Sequence, residues 1–371
     1  PGSTFKLMSM IVALEDGVID LHDTINTGDG TVKYYDKVIR DHEDEGLGKI
    51  TAREVFEHSS NVGTAKIIYE NYKDNPRRYV DRLYSMKINK PLDLQIKGEG
   101  KPVIRAPGDK LWSGISLPMM SHGYEVQMTP LQILTFYNAV ANGGKMVKPR
   151  FVTEVRDGNR VVKSFDTEVI TNAICSRSTI RKAQSLLEGV VEEGTAKNLK
   201  NSNYKIAGKT GTAQIANARH GYRSGARISY QASFVGYFPA DDPLYSCIVV
   251  VNAPSNWVYY GNVVSGPVFK EIADKVYASS FYRDLHALNP EGDEKVTLRE
   301  ASSEVGKNDL TVAGGVMPNV VGMGLRDAIY MLENSGLRVH YTGRGRVVKQ
   351  SPQPGVRVSR GATVAVELRL R

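Results

Sequence analysis

Residues Ser3–Lys6 (STFK) begin the apolar run that decides how the first part of this chain folds. Pro1 and Gly2 form a turn before them, and apolar residues continue to Leu14, so the run predicts a mostly buried helix with Ser3 in its first turn. A serine three residues before a lysine lies on the same helix face, one turn away. The lysine amine can therefore lie beside the hydroxyl and act on its proton.

Two later strings, Ser59–Asn61 (SSN) and Lys209–Thr212 (KTGT), supply what that pair lacks. A serine hydroxyl is a weak nucleophile until a base takes its proton and the developing oxyanion is held. Each string alone is common by chance, but the three in this order predict one reactive serine assembled from three parts of the chain.

The sequence around Lys209 predicts an antiparallel sheet. Three runs rich in β-branched and aromatic residues, 204–214, 229–238 and 245–253, are separated by turn residues. Gly211 within the first run would let a ligand or another backbone approach closely. A helix is predicted over Ser265–Tyr282, so the fold class is α+β, with helices packed on an antiparallel sheet.

With these motifs, the chain resembles the transpeptidase domain of a class B penicillin-binding protein, a peptidoglycan D,D-transpeptidase. The resemblance covers Pro1 to about Tyr282 and includes four further strings: Tyr124–Gln132 (YEVQMTPLQ), Ala141–Gly144 (ANGG), Gly194–Ala196 (GTA) and Phe234–Pro239 (FVGYFP). It implies the penicillin-binding and serine β-lactamase-like fold. Gly123–Glu125 (GYE) departs from the Gly-Tyr-Gly of many relatives, which puts the shape of that loop in question.

The resemblance implies a role for each motif residue and no metal or cofactor. Ser3 would be the acylated nucleophile and Lys6 its general base, with Ser59 and Asn61 relaying protons and contacting the substrate amide. The substrate carboxylate would bind Lys209, Thr210, Gly211 and Thr212, and the backbone N–H groups of Ser3 and Thr212 would form the oxyanion hole. A neutral Lys6 requires a lowered pKa, which we expect from burial near cationic Lys209.

The implied partners are peptidoglycan stem peptides and β-lactam antibiotics, with division or elongation proteins as further candidates. Two other functions stay open at this point. A class D-like serine β-lactamase shares STFK, although that group usually has valine where Asn61 stands. A non-catalytic penicillin or muropeptide sensor would be acylated at Ser3 only as a signal.

The carboxyl-terminal part reads as a separate module. Residues 289–315 are polar without periodicity and predict a linker, so the predicted domains are 1–288 and 316–371. Apolar residues at helical spacing from Leu325 to Leu337, followed by an alternating run over Ala362–Leu370, resemble a small αβ PASTA domain. Nine basic and three acidic residues give residues 316–371 a charge of 9 − 3 = +6. Either this module binds an anionic wall polymer or a partner protein, or its basic residues form a solvated face that keeps the module soluble.

The overall composition is consistent with the family resemblance but excludes few classes of function. The 371 residues are 41% hydrophobic and 24% charged, as in an ordinary globular chain of about two domains. There is no basic stretch with interleaved aromatics that would predict nucleic-acid binding. The two cysteines and seven histidines lack the spacing of a metal site.

The resemblance also implies an extracytoplasmic catalytic domain at the inner membrane, with a membrane anchor and the first sheet strands absent from this fragment. We therefore expect the strand at Ser246–Ala253 to have an unpaired edge. Thr31–Thr51 is predicted to be a solvent loop. A methionine and aromatic cluster is a candidate for lining the substrate cleft, although core packing is the commoner reason for such a cluster: Trp112, Met119, Met120, Tyr124 and Met128. Tyr259–Gly261 is a further candidate for the rim of the cleft.

Overall fold

The computed structural model describes two compact units, Pro1–Pro290 and Glu291–Arg371, and each is considered by itself. The residues it describes are 1–42, 46–215, 229–254, 258–287, 317–323, 328–329, 331–332, 335–343, 345–359 and 361–369. The predicted linker, 289–315, and Leu325 at the start of the predicted helical segment lie outside these residues.

Helices α1 to α9 of the first unit have the following bounds: Lys6–Glu15, Ala52–Glu57, Asn61–Tyr72, Pro76–Ser85, Ser116–Ser121, Pro130–Ala141, Arg177–Glu192, Gly261–Val264 and Gly266–Ala287. Within the described ranges, no helix combines the length and apolar content that a bilayer crossing would need.

Strands β1 to β13 belong to the first unit and β14 to β16 to the second. Their bounds are Thr24–Gly28, Thr31–Tyr34, Lys37–Arg40, Gly48–Thr51, Val103–Ile104, Val126–Gln127, Met146–Val147, Glu154–Asp157, Arg160–Ser164, Val169–Thr171, Ala207–Gln214, Tyr230–Phe238, Tyr245–Asn252, Arg338–Gly343, Arg346–Ser351 and Thr363–Arg369.

Local sequence sets where several helices begin. Thr51 and Glu54 form a capping box at α2, in which each side chain accepts a hydrogen bond from the other residue's backbone N–H. Thr129 and Gln132 form the same arrangement at α6, where Pro130 occupies the first helical position. These caps satisfy N–H groups that would otherwise lack partners, so they fix the helix starts.

Strands β11, β12 and β13 form an antiparallel meander, as the sequence predicted. Helix α9 packs on one face through Phe269, whose ring contacts Phe234 and Phe238 of β12. Because side chains alternate along a strand, Val235 and Tyr237 point to the opposite face, where both are buried. Among the described residues, β13 pairs with β12 along one edge and with no strand along the other.

Helix α1 lies at the centre of the first unit. Its residues from Lys6 to Leu14 are all buried, so it has no solvent-facing polar side. It packs against α3, α4 and α7, and its apolar side chains join one continuous core with those of α6 and β12. The apolar run that follows Ser3 thus places the start of this helix deep inside the unit.

The structure corrects the prediction that Thr31–Thr51 is a solvent loop. Thr31–Tyr34 and Lys37–Arg40 pair as an antiparallel hairpin, β2 with β3. Tyr34 and Ile39 on this hairpin are buried in a small cluster with Val62 and Met119. The charged composition hid these apolar anchors, which bring the segment against the start of α3.

The second unit contains a three-stranded sheet in the order β14, β16, β15, with β14 parallel and β15 antiparallel to β16. The run predicted over Ala362–Leu370 is β16, with Val364, Val366 and Leu368 buried at alternate positions. Buried Gln350 donates to the Pro318 carbonyl at 2.9 Å and accepts from the Val320 N–H at 2.7 Å. This side chain ties the entry segment to the sheet.

Candidate active site

Ser3 lies in a short 3₁₀ turn, Gly2–Phe5, that leads directly into α1. The turn is held against β11, because a Cβ added to Gly2 would lie 2.8 Å from the Ala213 Cβ. On its other side, the Gly2 N–H donates to the Gly123 carbonyl at 3.2 Å. Gly2 also adopts a φ of +56°, so glycine suits this position for two independent reasons.

The Lys6 amine joins the first motif to the second. Its Nζ donates to the Ser59 carbonyl at 2.5 Å, to Ser59 Oγ at 3.2 Å and to Asn61 Oδ1 at 2.7 Å. These bonds use all three N–H groups of an ammonium. Among the described residues, Lys6 accordingly makes no hydrogen bond to Ser3, and catalytic hydrogen bonds often form only when substrate binds.

Two fully buried lysines, Lys6 and Lys209, give the site its electrostatics. Burial lowers the pKa of Lys6 to about 7, and the nearby Asp41 carboxylate opposes that change. Burial, reinforced by the positive charge of Lys6, lowers the pKa of Lys209 well below its usual value. The expected depression of the Lys6 pKa is present, but its cause is burial, and the repulsion between the two cations acts on Lys209.

Ser59 occupies a strained backbone position at the end of α2. The Ser59 N–H donates to the Phe56 carbonyl and the Ser60 N–H to the Val55 carbonyl, the two bonds of a Schellman motif. Its left-handed residue is usually glycine, yet Ser59 adopts it with a φ of +57°. The turn therefore presents the Ser59 hydroxyl and carbonyl to Lys6 at a cost in backbone strain.

Asn61 is the first residue of α3, with Ser60 as the N-cap that accepts from the Gly63 N–H. The Asn61 side chain bridges two elements, because Oδ1 accepts from Lys6 and Nδ2 donates to the Arg40 carbonyl at 2.8 Å. The hairpin β2–β3 is thereby linked to the lysine of α1.

The third motif lies on β11, as predicted. Lys209 pairs with buried Val235 across the sheet, so both side chains enter the same buried layer. Its Nζ donates weakly to Thr210 and lies 5.7 Å from the centre of the Phe56 ring on α2. The Thr210 hydroxyl is 2.9 Å from that of Thr195, and Thr212 Oγ1 accepts from the Gly261 N–H at 3.3 Å.

Two adjoining cavities, of about 360 and 260 Å³, are both lined by Ser3 and Thr212. The larger lies toward the end of β11 and has an aromatic and basic wall; it is also lined by Lys37, Arg40, Asn61, Tyr124, Gln214, Tyr230 and Tyr259. The smaller has a wall rich in hydroxyl groups, among them those of Ser59, Ser60, Thr195 and Thr210. Ser3 thus lies where an extended ligand along β11 would pass from one cavity to the other.

The structure brings together Ser3, Lys6, Ser59, Asn61, Lys209, Thr210 and Thr212. Gly211 lies between two cavity-lining threonines but lines neither cavity. An added Cβ there would lie 2.2 Å from Ser233 Oγ and 3.0 Å from Thr4 Cγ2. The close approach expected at this glycine is made by neighbouring protein atoms of β12 and the Ser3 turn.

The candidate cleft residues divide into two groups. Met119, Tyr124 and Tyr259 line the larger cavity, and Tyr260 and Gly261 line the smaller one. The other members of the methionine and aromatic cluster pack in or against the hydrophobic core: Trp112, Met120 and Met128.

The loop at Gly123–Glu125 keeps a left-handed residue where many relatives have a second glycine. Glu125 has a φ of +57°, and its carboxylate accepts from Ser116 Oγ at 2.6 Å. Gly123 itself is required, since an added Cβ would lie 2.0 Å from the Gly2 carbonyl oxygen. The loop therefore lies directly beside the Ser3 turn, with Glu125 in the left-handed conformation.

Sequence reasoning missed several residues of the site. Asp41 and His42 line both cavities, and Thr195 contacts Thr210. The Gly194–Ala196 string was part of the family resemblance, but no spacing rule places Thr195 beside β11, which begins more than ten residues later. In the part of the chain that the structure describes, no group of histidine, cysteine, aspartate or glutamate side chains could hold a metal ion.

Comparison with known proteins gives two family matches. The penicillin-binding protein transpeptidase domain matches residues 1–274, and the PASTA domain matches residues 315–369.

Curated relatives agree with these matches. Stage V sporulation protein D of Bacillus subtilis is 29% identical over 99% of this chain and 53% of its own length. Penicillin-binding protein PbpB of Mycolicibacterium smegmatis is 31% identical over 81% of this chain and 45% of its own length. Peptidoglycan D,D-transpeptidase FtsI of Escherichia coli is 29% identical over 80% and 45%. The chain spans about half the length of the curated relatives it matches.

Solved structures show the same fold. The apo form of penicillin-binding protein 3 from Mycobacterium tuberculosis has a TM-score of 0.65 at 26% identity, over 76% of this chain and 63% of that one. The transpeptidase domain of penicillin-binding protein 3 from Burkholderia pseudomallei has a TM-score of 0.63 at 26% identity, over 75% and 78%.

Proposed function

The chain belongs to the class B penicillin-binding proteins and carries a carboxyl-terminal PASTA domain, and on this premise we propose that it is a peptidoglycan D,D-transpeptidase acylated at Ser3. One observation carries the proposal. The Lys6 amine contacts both Ser59 and Asn61, and Ser59 lines the smaller cavity together with Ser3, Thr210 and Thr212. A nucleophile, a buried amine and a set of anion-binding hydroxyls are thereby assembled.

The donor stem peptide would lie along β11, which has a free edge among the described residues. Its terminal carboxylate would enter the smaller cavity and bind Thr210 and Thr212. A bound carboxylate favours the ammonium form of Lys209, reversing the effect of burial on that lysine. The rest of the stem would extend past Gln214 into the larger cavity.

In the acylation step, neutral Lys6 takes the proton of Ser3 Oγ as the oxygen attacks the carbonyl carbon of the terminal D-Ala–D-Ala bond. The backbone N–H groups of Ser3 and Thr212 would hold the oxyanion. The C–N bond breaks, and the leaving alanine amine receives a proton through the Ser59 hydroxyl. The product is an ester between Ser3 and the stem peptide.

In the second step, an amine from a neighbouring stem peptide attacks that ester. The acceptor amine takes the place of the departed alanine amine, because the two steps are chemically the reverse of each other. Its proton passes back through Ser59 and Lys6 to Ser3 Oγ, which leaves as the hydroxyl. A β-lactam undergoes the first step and has no separate leaving amine, so its ester persists.

We extend the proposal to the predicted domain bounds, 1–288 and 316–371, and to an extracytoplasmic location at the inner membrane, where cross-linked stem peptides lie. Division or elongation proteins are proposed partners on the same ground. The two compact units and the two family matches support the division of the chain.

Mass spectrometry of the intact chain after exposure to penicillin tests the proposal. We expect one added penicillin on the peptide that contains Ser3, absent in Ser3→Ala and present in the surface control Ser85→Ala. Addition to another residue, or none to a folded chain, would contradict it.

The lifetime of the ester separates the related functions. A transpeptidase should keep the penicillin ester for many minutes and join a stem-peptide donor to an added amine. Hydrolysis within seconds would indicate a β-lactamase. A stable ester without any product from donor and amine would indicate a sensor.

A further inference from the structure

Asp41 follows β3 and reaches the start of α3, the helix that carries Asn61. Its Oδ2 accepts from Ser60 Oγ at 2.8 Å and its Oδ1 accepts from the Val62 N–H at 2.9 Å. A carboxylate that accepts from the first N–H groups of a helix is favoured by the partial positive charge there. Asp41 therefore holds the Ser59–Asn61 turn from the side of the hairpin.

The same carboxylate contributes charge to the site. Among the described residues, the titratable groups that face Lys6 are Asp41, Lys209, His42 and His122. Burial, assisted by the Lys6 charge, lowers the pKa of His42 and lowers that of His122 to about 3, so both rings are neutral at neutral pH. Asp41 is the one member of this group that carries a negative charge.

We propose that Asp41 is a positioning residue of the catalytic centre, which fixes the Ser59–Asn61 turn against Lys6 and balances the positive charge buried there. The inference rests on the proposed function, because it assigns Asp41 a role in acylation of Ser3. Asp41 acts through Lys6 and the turn and does not itself contact the reacting atoms.

The rate constant for acylation by a fluorescent penicillin, followed against pH, tests this role. Asp41→Asn keeps the two hydrogen bonds, since the amide oxygen can accept from Val62 and the amide nitrogen can donate to Ser60 Oγ. It removes the charge alone. Asp36→Asn removes an exposed carboxylate from the same hairpin region and serves as the control.

Loss of the negative charge disfavours the Lys6 ammonium, so the neutral amine forms at lower pH. We expect the acid limb of the Asp41→Asn profile to move down by about one pH unit, while Asp36→Asn keeps the wild-type profile. Asp41→Ala should move the acid limb by the same amount. It should also lower the plateau of the acylation rate constant about tenfold, because the Ser59–Asn61 turn loses the hydrogen bonds that Asp41 accepts.

An acid limb that stays at the wild-type pH in Asp41→Asn would overturn the proposal, whatever happens to the plateau. A displacement to higher pH would overturn it as well. A first-order rate constant at saturating penicillin does not depend on the fraction of folded protein, so partial misfolding cannot imitate either result. Failure of the wild-type chain to be acylated at Ser3 would instead contradict the proposed function.

Discussion

The two units differ in the burial of their cationic side chains and in which residues adopt a positive φ. The first unit buries Lys6 and Lys209 completely and places Ser59 in a left-handed conformation. In the described part of the second unit, the cations are exposed and the residues with positive φ are all glycines. The buried lysines and the strained Ser59 of the first unit belong to the candidate site, where function is expected to outweigh stability.

The largest effect should come from removing a buried cation. Lys6→Met keeps the volume of the side chain but removes the amine that contacts Ser59 and Asn61, so acylation by penicillin should fall by about 10²- to 10⁴-fold. Lys349→Met in the second unit removes an exposed cation and should leave the rate unchanged. Equal acylation rates for Lys6→Met and the wild-type protein would show that the buried Lys6, like the exposed Lys349, is not needed for acylation.

The strained turn offers the next test. Ser59→Gly suits the left-handed position and removes the hydroxyl, so acylation should fall by about 100-fold while the thermal midpoint does not fall.

The mirror substitution is Gly322→Ser in the second unit, where φ is +88° and no atom lies within 4 Å of an added Cβ. It should cost about 1 kcal/mol of stability and leave acylation unaltered. A Ser59→Gly variant that acylates normally would show that its strain serves no chemical role.

The pH dependence of the acylation rate should report the protonation of the buried Lys6 amine. Lys6 acts as a base only when neutral, and burial lowers its pKa to about 7. The acylation rate should therefore rise with pH through a midpoint near that value and fall about tenfold for each pH unit below it. Lys6→Met should show no such limb in its residual rate. A wild-type midpoint close to that of an exposed lysine would contradict the assignment of Lys6.

Removal of the second unit should have the smallest effect. The residues that line the two cavities all lie between Ser3 and Val263. A chain that ends at Pro290 should therefore be acylated by penicillin within about twofold of the full-length rate. A much larger loss, in a fragment shown to be folded by circular dichroism, would mean that the second unit supports the site directly.

Much of the fold could be predicted because its signals are local. The three strands of the main sheet, the helix after them and the alternating run of β16 follow from residue type and periodicity. The hairpin at β2–β3 could not be predicted in this way. Its many charged residues mask Tyr34 and Ile39, whose burial depends on contacts with α3 and α5.

The sequence by itself determined which side chains are available for chemistry, because Ser3 and Lys6 are one helical turn apart and the Lys209–Thr212 string lies within a run with strand character. Tertiary structure decided how those side chains behave. Desolvation of Lys6, the left-handed turn at Ser59 and the approach of Asp41 all depend on elements that are distant in the chain. Burial and charge act through space, so residue spacing alone could identify the lysine but not the environment that makes it a base.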